Sequence, residues 1–319
     1  MPSLPFMTLD VFTRTRYLGN PLAVVRIPAN SLSPPPTKEQ KQAIAREFNL
    51  SETVFLNENT FCTDEEEVIG LDIFTPEGEL PFAGHPTVGA SYYLFTLRQG
   101  ESNTKRSLVL LTKAGKVPVE SLAGGYATLE VPHEIHLHRE RMNVTSDLAD
   151  LFPTLSPCDY ILPNSGIPVF SIVKGMTFAL CRLTSLEALA RVTQSPRRPM
   201  PVLDAPWDTG LVGALFYVIT DSQRDHDCQV WKLQTRVILG LVEDAATGSA
   251  SCAVSVYLAQ SAHAISAPLK HSFQLTQGVE MGRTSDIRIE VVLKSGGIEV
   301  ESVGLCGTAV KVMEGTLEY

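Results

Sequence analysis

The stretch GHPTVGASYYLF (residues 84–95) and the stretch ATGSASCAVSVYLA (residues 246–259) echo each other, and together they decide the fold. Each begins with a turn rich in glycine, threonine and small residues, and each reaches a Tyr-Leu pair near its end. Glycine and serine are poor helix formers in water, so a helix that carries many of them is expected where neighbouring elements approach closely. The two stretches therefore predict two buried helices, one in each half of the chain.

Short strand patterns surround both predicted helices. In the first half they cover residues 8–25 as a hairpin, 52–56, 68–74, 107–111 and 126–131. In the second half they cover residues 169–173, 178–182, 215–220, 272–277, 286–293 and 298–303, and a last pair, 307–312 and 316–319, follows. Thr37 and Gln40 have the spacing of a capping box and predict the start of a helix. We infer an α+β protein in which a strand-rich half wraps around one buried helix, twice.

Length and charge limit the classes of protein that this chain can be. Its 319 residues are about twice the length of a typical domain, which favours two domains. An apolar fraction of 44% and a charged fraction of 19% exclude disorder, collagen and coiled coil. The chain has 26 basic and 35 acidic residues, a net charge of −9. This charge argues against nucleic acid and anionic membranes as partners, because both require a basic face.

The sequence predicts a cytoplasmic protein. Its longest unbroken apolar stretch, residues 210–219, is far short of the roughly 20 residues that span a bilayer. The N-terminal residues lack the basic and apolar regions of a signal peptide. Six scattered cysteines without a C-x-x-C pair are typical of a reducing compartment.

Glu52 is the most informative single residue. In LSETVFL (residues 50–56), alternation places Glu52 on the same face as Leu50, Val54 and Leu56, where a core residue is expected. Burial raises the pKa of a carboxyl group and fits it for proton transfer near neutral pH. The alternative is a glutamate at a strand end that reaches solvent or caps a neighbouring group.

His85 lies in FAGHPT (residues 82–87), directly ahead of the predicted helix at residues 86–97. An imidazole at this place lies beside the free backbone N–H groups of a helix start. Catalysis and a simple hydrogen bond inside the turn are equally good interpretations of this segment in isolation.

EDAATGS (residues 243–249) is the matching turn of the second half. Acidic residues followed by Thr-Gly-Ser and a helix are typical of a self-capped helix N-terminus, and this interpretation is favoured. The same arrangement can bind an anion through backbone N–H groups and a hydroxyl.

The remaining motifs predict neither a metal nor an organic cofactor. The three histidines of HEIHLHRE (residues 133–140) lack the H-E-x-x-H spacing of a metal site. The chain contains no G-x-G-x-x-G, no P-loop and no G-x-S-x-G motif, so dinucleotide-binding, nucleotide-hydrolysing and α/β-hydrolase interpretations have no support.

Taken in order, the motifs of this chain resemble the PhzF-like family of phenazine biosynthesis, within the diaminopimelate epimerase-like superfamily. The matching segments in the first half are DVFT (10–13), GNPLAVV (19–25), FNLSETVF (48–55), FTP (74–76) and ELPFAGHPT (79–87). Those in the second half are EDAATGSA (243–250), QG (277–278), GR (282–283), VG (303–304) and EG (314–315). The resemblance covers essentially the whole chain.

The resemblance implies a fold of two similar halves, each a barrel-like sheet around a central helix, with the active site in the cleft between them. The first half would hold residues 1–128 plus about 309–319, and the second residues 129–308. Glu52 of the S-E-T motif would be the acid/base, and His85 and Asp244 would assist it. The same motifs imply that the substrate is bound by Ser51, Gly84, Gly248 and Ser249.

Two departures from the family pattern concern the second half. Ala245 replaces the usual proline, which we expect to loosen its turn. The stretch 236–240 is a few residues shorter than in the family, which removes part of a loop expected to border the cleft. Neither helix start holds a cysteine, since Cys252 lies further along its helix, and a two-thiol racemase is therefore disfavoured.

The function expected from these features is that of a cofactor-independent isomerase that shifts a double bond in a small carboxylate-bearing metabolite. A lyase, hydratase or cyclase of secondary metabolism could use the same site. A binding protein without activity is the alternative outside the enzymes. A homodimer is compatible with the sequence and is left open.

Overall fold

The computed structural model describes residues 2–29, 34–62, 67–98, 107–163, 166–262 and 268–319. The chain divides into two compact units. The first unit comprises Met1–Glu130 and Cys306–Tyr319, and the second comprises Val131–Leu305.

Strands predominate over helices. The α-helices are α1 (Lys38–Phe48), α2 (Gly84–Tyr92), α3 (Leu186–Ala190) and α4 (Gly248–Ser261). The strands up to residue 137 are β1 (Ser3–Val11), β2 (Asn20–Ile27), β3 (Glu52–Cys62), β4 (Glu67–Phe74), β5 (Glu79–Leu80), β6 (Ser107–Thr112), β7 (Gly115–Leu122), β8 (Tyr126–Glu130) and β9 (His136–Leu137). The later strands are β10 (Val169–Val173), β11 (Met176–Arg182), β12 (Leu211–Asp225), β13 (Cys228–Leu239), β14 (Val242–Asp244), β15 (Lys270–Gln277), β16 (Ser285–Leu293), β17 (Val300–Gly307) and β18 (Ala309–Glu318). Short π-helical turns at Tyr93–Leu97 and Val144–Leu148 and a 3₁₀ turn at Pro157–Asp159 complete the described elements.

The sheet of the first unit mixes parallel and antiparallel pairs. The strands β18, β1 and β2 are antiparallel neighbours, β3 then pairs parallel to β2, and β4 antiparallel to β3. The strand β6 pairs parallel to β4, and β7 and β8 follow in antiparallel order. The short strand β5 doubles back on the end of β4 and leads into α2.

The second unit repeats this order of pairings. The strands β10 and β11 are antiparallel, β12 pairs parallel to β11, and β13 antiparallel to β12. The strand β15 pairs parallel to β13, and β16 antiparallel to β15. The short strand β14 doubles back on the end of β13 and leads into α4, as β5 does before α2.

Each unit packs its sheet against one buried helix made of small residues. In the first unit α2 packs on β1, β2, β3, β7, β8 and β18, and in the second α4 packs on β10, β11, β15 and β16. Gly89 shows why α2 carries small residues, because a Cβ at this position would collide with Leu22 and lie 3.0 Å from a methyl of Val11. The prediction of two buried helices is confirmed by their buried residues, although α2 begins two residues earlier than residue 86.

The helix predicted after Thr37 is also confirmed. The Thr37 hydroxyl accepts a hydrogen bond from the Gln40 N–H at 3.3 Å, and the Gln40 side chain accepts one from the Thr37 N–H at 2.8 Å. At the other end Asn49 adopts a left-handed conformation, with a φ of 49°, and ends α1 just before β3.

One prediction about strands is wrong, and the strands β7 and β13 were not predicted. The last pair of strands, at 307–312 and 316–319, is the single strand β18, which pairs with β1 along its whole length. The strand β13 was not expected, because the polar residues Thr235 and Arg236 are buried in it and hide its alternation. Residues 236–239 are therefore the end of a strand, joined to β14 by a tight turn at Gly240 and Leu241.

No α-helix within the described ranges is long and apolar enough to cross a membrane. A cavity of about 510 Å³ lies in the first unit, next to α1 and the end of β18. Its lining includes Phe6, Ile44, Phe48 and Leu317 and none of the predicted site residues.

Candidate active site

Glu52 is the first residue of β3, where the chain enters the sheet directly after α1. Its backbone lies beside Leu22 of β2, to which β3 runs parallel. The side chain of Glu52 is 17% exposed, and its Oε2 atom is buried without a hydrogen-bond partner among the described residues. The carboxyl group therefore occupies a position where its ionised form is poorly solvated.

The surroundings of Glu52 raise its pKa to about 7. The largest cause is burial, which penalises the charged carboxylate. A hydrogen bond from the Ser51 hydroxyl lowers the pKa, and the negative charge of Glu77 raises it. A carboxyl group with a pKa near neutrality can accept a proton and return it under physiological conditions.

His85 lies in the first turn of α2, next to Glu52. Its Nδ1 atom is 3.4 Å from Oε2 of Glu52, and its side chain is only 5% exposed. The two residues come from a strand start and a helix start, and the structure brings them together as the candidate acid/base pair. This distance permits a proton to pass between them after a small adjustment.

Ser51 adds a hydroxyl to the same cluster. Its Oγ lies 3.4 Å from Oδ1 of Asn20 and within hydrogen-bonding reach of the Glu52 carboxyl group, and its single hydrogen is donated to one of these two acceptors at a time. Ser51 is exposed whereas Asn20 is buried, so the hydroxyl lies at the edge between solvent and the interior. Asn20 belongs to the GNP segment, whose place in this cluster was not predicted.

The turn of the second unit holds Asp244 at the end of β14. Its Oδ2 accepts a hydrogen bond from the Thr247 hydroxyl at 2.7 Å, and its Oδ1 accepts one from the Ala246 N–H at 3.4 Å. Both donors precede α4, which begins at Gly248. The interpretation favoured from the sequence is a helix capped by its own turn. Asp244 does bind groups within the turn, but the N-cap side chain of α4 makes no capping hydrogen bond.

The two buried helices share an uncapped start. The N-cap residue of α2 is Ala83 and that of α4 is Thr247, and neither makes a side-chain capping bond. The backbone N–H groups of a first helical turn point out of the helix and carry a partial positive charge. Gly84 and Gly248 are the first residues of these turns, and Ser249 adds a hydroxyl to the second.

Two buried polar residues support the Asp244 turn and were not predicted to have a role. Arg236 binds Glu243 through two hydrogen bonds of 2.8 and 2.7 Å and donates to the carbonyl of Val192 at 2.7 Å. Gln277 hydrogen-bonds the turn itself. A glutamine at the end of a predicted strand gives no signal of this contact, because the turn lies 30 residues earlier.

Two of the histidines in HEIHLHRE lie beside Asp204. His136 Nε2 is 2.9 Å from Oδ2 of Asp204. His138 uses both ring nitrogens, since Nδ1 accepts from the Asp204 N–H and Nε2 bonds to Ser171 Oγ, both at 3.0 Å. Burial lowers the pKa of His138, and its Nδ1 atom carries no proton because it accepts a hydrogen bond. His136, His138 and Asp204 each offer one ligand atom within 4.8 Å of the others, but His138 would have to give up one of its two hydrogen bonds to bind a metal.

Cys252 is fully buried in the second turn of α4, and burial raises its pKa to about 12. A thiol must ionise to act as a base or nucleophile, so burial opposes either role for Cys252. This supports the argument against a two-thiol racemase.

Two relatives that match almost the whole chain are named isomerases, and a solved structure shares its fold. An uncharacterized isomerase of Mesorhizobium japonicum is 33% identical over 328 residues, which cover 99% of each chain. The trans-2,3-dihydro-3-hydroxyanthranilate isomerase of Pseudomonas aeruginosa is 28% identical over 97% of this chain and 98% of the relative. The crystal structure of a Bacillus anthracis phenazine biosynthesis protein of the PhzF family covers 100% of both chains with a TM-score of 0.70 and 21% identity.

These findings define the class and then the family. The chain is an isomerase with an α+β fold of the diaminopimelate epimerase-like class. A family model described as phenazine biosynthesis-like protein matches residues 9–315. The chain belongs to this family, the PhzC-PhzF family, as the order of its motifs predicts.

Proposed function

We propose that this protein is a cofactor-independent isomerase in which Glu52 is the general acid and base. The observation that carries the proposal is the Glu52 carboxyl group, mostly buried, with a pKa raised to about 7 and an imidazole nitrogen 3.4 Å away. A carboxyl group that only stabilised the fold would be expected to have a charged or hydrogen-bonding partner for each oxygen.

The reaction that fits this group is the movement of one proton along a conjugated substrate. Ionised Glu52 takes a proton from a carbon that is acidic because of adjacent unsaturation, and the C–H electron pair is delocalised into the substrate. The protonated Glu52 then gives that proton to a different carbon. One C–H bond breaks, another forms, a double bond shifts, and Glu52 returns to its ionised form.

His85 and Ser51 would assist at the two ends of this transfer. His85 can hydrogen-bond a substrate oxygen or nitrogen while it faces Glu52, and so can stabilise the charge that develops as the proton leaves. Ser51 can donate to the Glu52 carboxylate and stabilise it after the proton is returned.

The turn of the second unit is proposed to bind the carboxylate of the substrate. The support is an uncapped helix start with a hydroxyl at Ser249, which together form an anion-binding arrangement. Gly84 and Gly248 would each lend a backbone N–H group, and Asp244 would hold a polar group of the substrate and assist the proton transfer. That both units serve one substrate remains a prediction from the family.

The relatives suggest the first compound to test. Trans-2,3-dihydro-3-hydroxyanthranilate, named for the Pseudomonas aeruginosa relative, is a carboxylate on an unsaturated ring and has the required chemistry. At 28% identity a different substrate of the same chemical class is equally consistent with the site.

The test is to incubate the purified protein with this compound in D₂O and to follow the products by NMR. The proposal expects an isomer of unchanged mass, apart from deuterium, with a shifted double bond. Products that have lost or gained water would instead indicate a lyase or hydratase, and a new ring would indicate a cyclase. Saturable binding without any turnover would indicate a binding protein.

A further inference from the structure

Gln277 is buried at the end of β15, with no exposed surface, and its side chain reaches the turn that contains Asp244. Its Oε1 accepts a hydrogen bond from the Thr247 N–H at 3.2 Å. Its Nε2 donates to the backbone oxygen of Asp244 at 2.7 Å and to Oγ1 of Thr247 at 3.1 Å. An N–H group can only donate and a carbonyl can only accept, so these backbone groups fix the orientation of the amide.

The bonds continue from Gln277 through Thr247 to the carboxylate of Asp244. The Thr247 hydroxyl has a single hydrogen, and its Oγ1 atom lies 2.7 Å from Oδ2 of Asp244. Because its lone pair accepts from Gln277, that hydrogen is directed at the carboxylate. A chain of hydrogen bonds thus links the carboxylate to a side chain 33 residues further along the chain.

The backbone next to Gln277 also lies close to this turn. Gly278 has a φ of +76°, and a Cβ at this position would lie 2.9 Å from the Ala245 oxygen and 2.6 Å from the Arg283 oxygen. Ala245 stands where the family pattern has proline and itself provides no rigid ring, so the turn is held by side chains, namely by the hydrogen bonds of Gln277 and by the Arg236–Glu243 ion pair.

We propose that Gln277 is a positioning residue that orients Asp244 through Thr247. The proposal rests on the proposed function in one respect, namely that Asp244 touches the substrate. Its geometric part, the dependence of the Asp244 carboxylate on Gln277, is independent of any activity. If Gln277 served only to fill space, an apolar side chain of similar length would serve equally well.

The test compares Gln277→Met with the control Thr235→Val. Methionine keeps the length and flexibility of glutamine but makes none of the three hydrogen bonds. Thr235 faces Gln277 across the pair of β13 and β15, and its buried hydroxyl has no partner within the described ranges. Both variants remove a buried polar group from the same place in the sheet, but only the first removes the bonds to the turn.

The geometric readout is independent of turnover. In Gln277→Met we expect the Thr247 amide to exchange its hydrogen at least about tenfold faster than in the wild type, because its acceptor is lost. A crystal structure of the variant is expected to show the Asp244 carboxylate rotated away from its wild-type position. Thr235→Val should change neither property. An Asp244 carboxylate that stays in place, or an unchanged exchange rate at Thr247, would overturn the proposal.

The kinetic readout separates positioning from stability. With trans-2,3-dihydro-3-hydroxyanthranilate, kcat of Gln277→Met should fall roughly 10- to 100-fold with a much smaller change in KM, because a misplaced group costs rate rather than folding. Unchanged kcat in this variant would contradict the positioning role. A wild-type protein that does not turn over this compound would contradict the proposed substrate alone, and the geometric readout would still decide the role of Gln277.

A second pair of variants decides the matter if Gln277→Met does not fold. Thr247→Val removes the hydroxyl that links Gln277 to Asp244, whereas Thr247→Ser keeps it. We expect Thr247→Val to lose kcat and the Asp244 orientation, and Thr247→Ser to retain both. Equal behaviour of these two variants would show that the hydroxyl does not transmit position.

Discussion

Oε2 of Glu52 and Nδ1 of His85 lie 3.4 Å apart in the interior of the first unit. A carboxyl group enters the sheet at the start of β3, and an imidazole enters it at the start of the buried helix α2. Neither position is one where a packed core needs a titratable group. Because burial raises the pKa of Glu52 to about 7, the carboxyl group carries a proton that it can release near neutral pH.

We predict that Glu52→Gln folds like the wild type but loses nearly all turnover. The amide keeps the shape of the carboxyl group and cannot exchange a proton, so the rate should fall roughly 10²–10⁴-fold or more. Steady-state kinetics and circular dichroism check the two parts of this prediction. Glu120→Gln, at an exposed glutamate of β7, serves as the matched control and should keep full activity. Wild-type activity in Glu52→Gln would end the acid/base assignment.

Relative to the wild type, Glu52→Gln should become more stable as the pH rises. Glu52 has a folded pKa of about 7 against an ordinary 4.5, so the unfolded chain releases this proton at lower pH than the native protein. The native state is therefore not penalised below about pH 4.5, and is increasingly penalised up to about pH 7, by roughly 3 kcal/mol in total. Urea unfolding at several pH values should show that the free energy of unfolding of Glu52→Gln increases relative to that of the wild type between about pH 4.5 and 7. A stability difference that is constant with pH would contradict the raised pKa.

The pH dependence of activity should report the same group. Ionised Glu52 starts the reaction, so kcat/KM should rise with pH and level off above about pH 7. Because the negative charge of Glu77 raises the pKa of Glu52, Glu77→Gln should move this profile to lower pH. Glu77 is exposed, so the displacement should be only a few tenths of a pH unit and should shrink as salt is added. Glu120→Gln should leave the profile unchanged, and an identical displacement there would mean a general charge effect.

The predictable parts of this fold are those that local chemistry determines. The Thr37 capping box and the small residues of α2 and α4 could be recognised because neighbouring residues in the sequence are enough to define them. The strand β13 could not be predicted because its buried polar residues, among them Thr235 and Arg236, have partners or neighbours that only the folded chain supplies.

The residues of the candidate site also divide into those that local sequence reveals and those that it does not. Glu52 could be found because a carboxylate interrupts an aliphatic face, and Asp244 because its turn has a recognisable pattern. Gln277 and Asn20 lie in segments that match the family pattern, but their places in the site could not be found, since each contacts a residue about 30 positions away. Long-range contacts of this kind leave no periodic signal in the sequence.

We expect chelators to leave activity unchanged, because the chain lacks cofactor motifs and His138 has committed both of its ring nitrogens to hydrogen bonds. The measurement is turnover before and after dialysis against EDTA, together with metal analysis and an absorption spectrum of the purified protein. Neither flavin nor nicotinamide absorbance is expected. Stoichiometric zinc whose removal abolishes activity would overturn this prediction, and His136→Ala would then show whether the Asp204 cluster holds it.

The starts of α2 and α4 should bind anions without the help of a basic side chain. Their N-cap residues make no capping bond, so the first-turn N–H groups, with their partial positive charge, remain available to a ligand. Crystals grown in sulfate, phosphate or a carboxylate buffer should show an anion within hydrogen-bonding distance of Gly84 and His85, or of Gly248 and the Ser249 hydroxyl. Ser249→Ala should weaken the second of these sites and leave the first unchanged. Helix starts that stay free of anions at high sulfate concentration would mean that these turns have only a structural role.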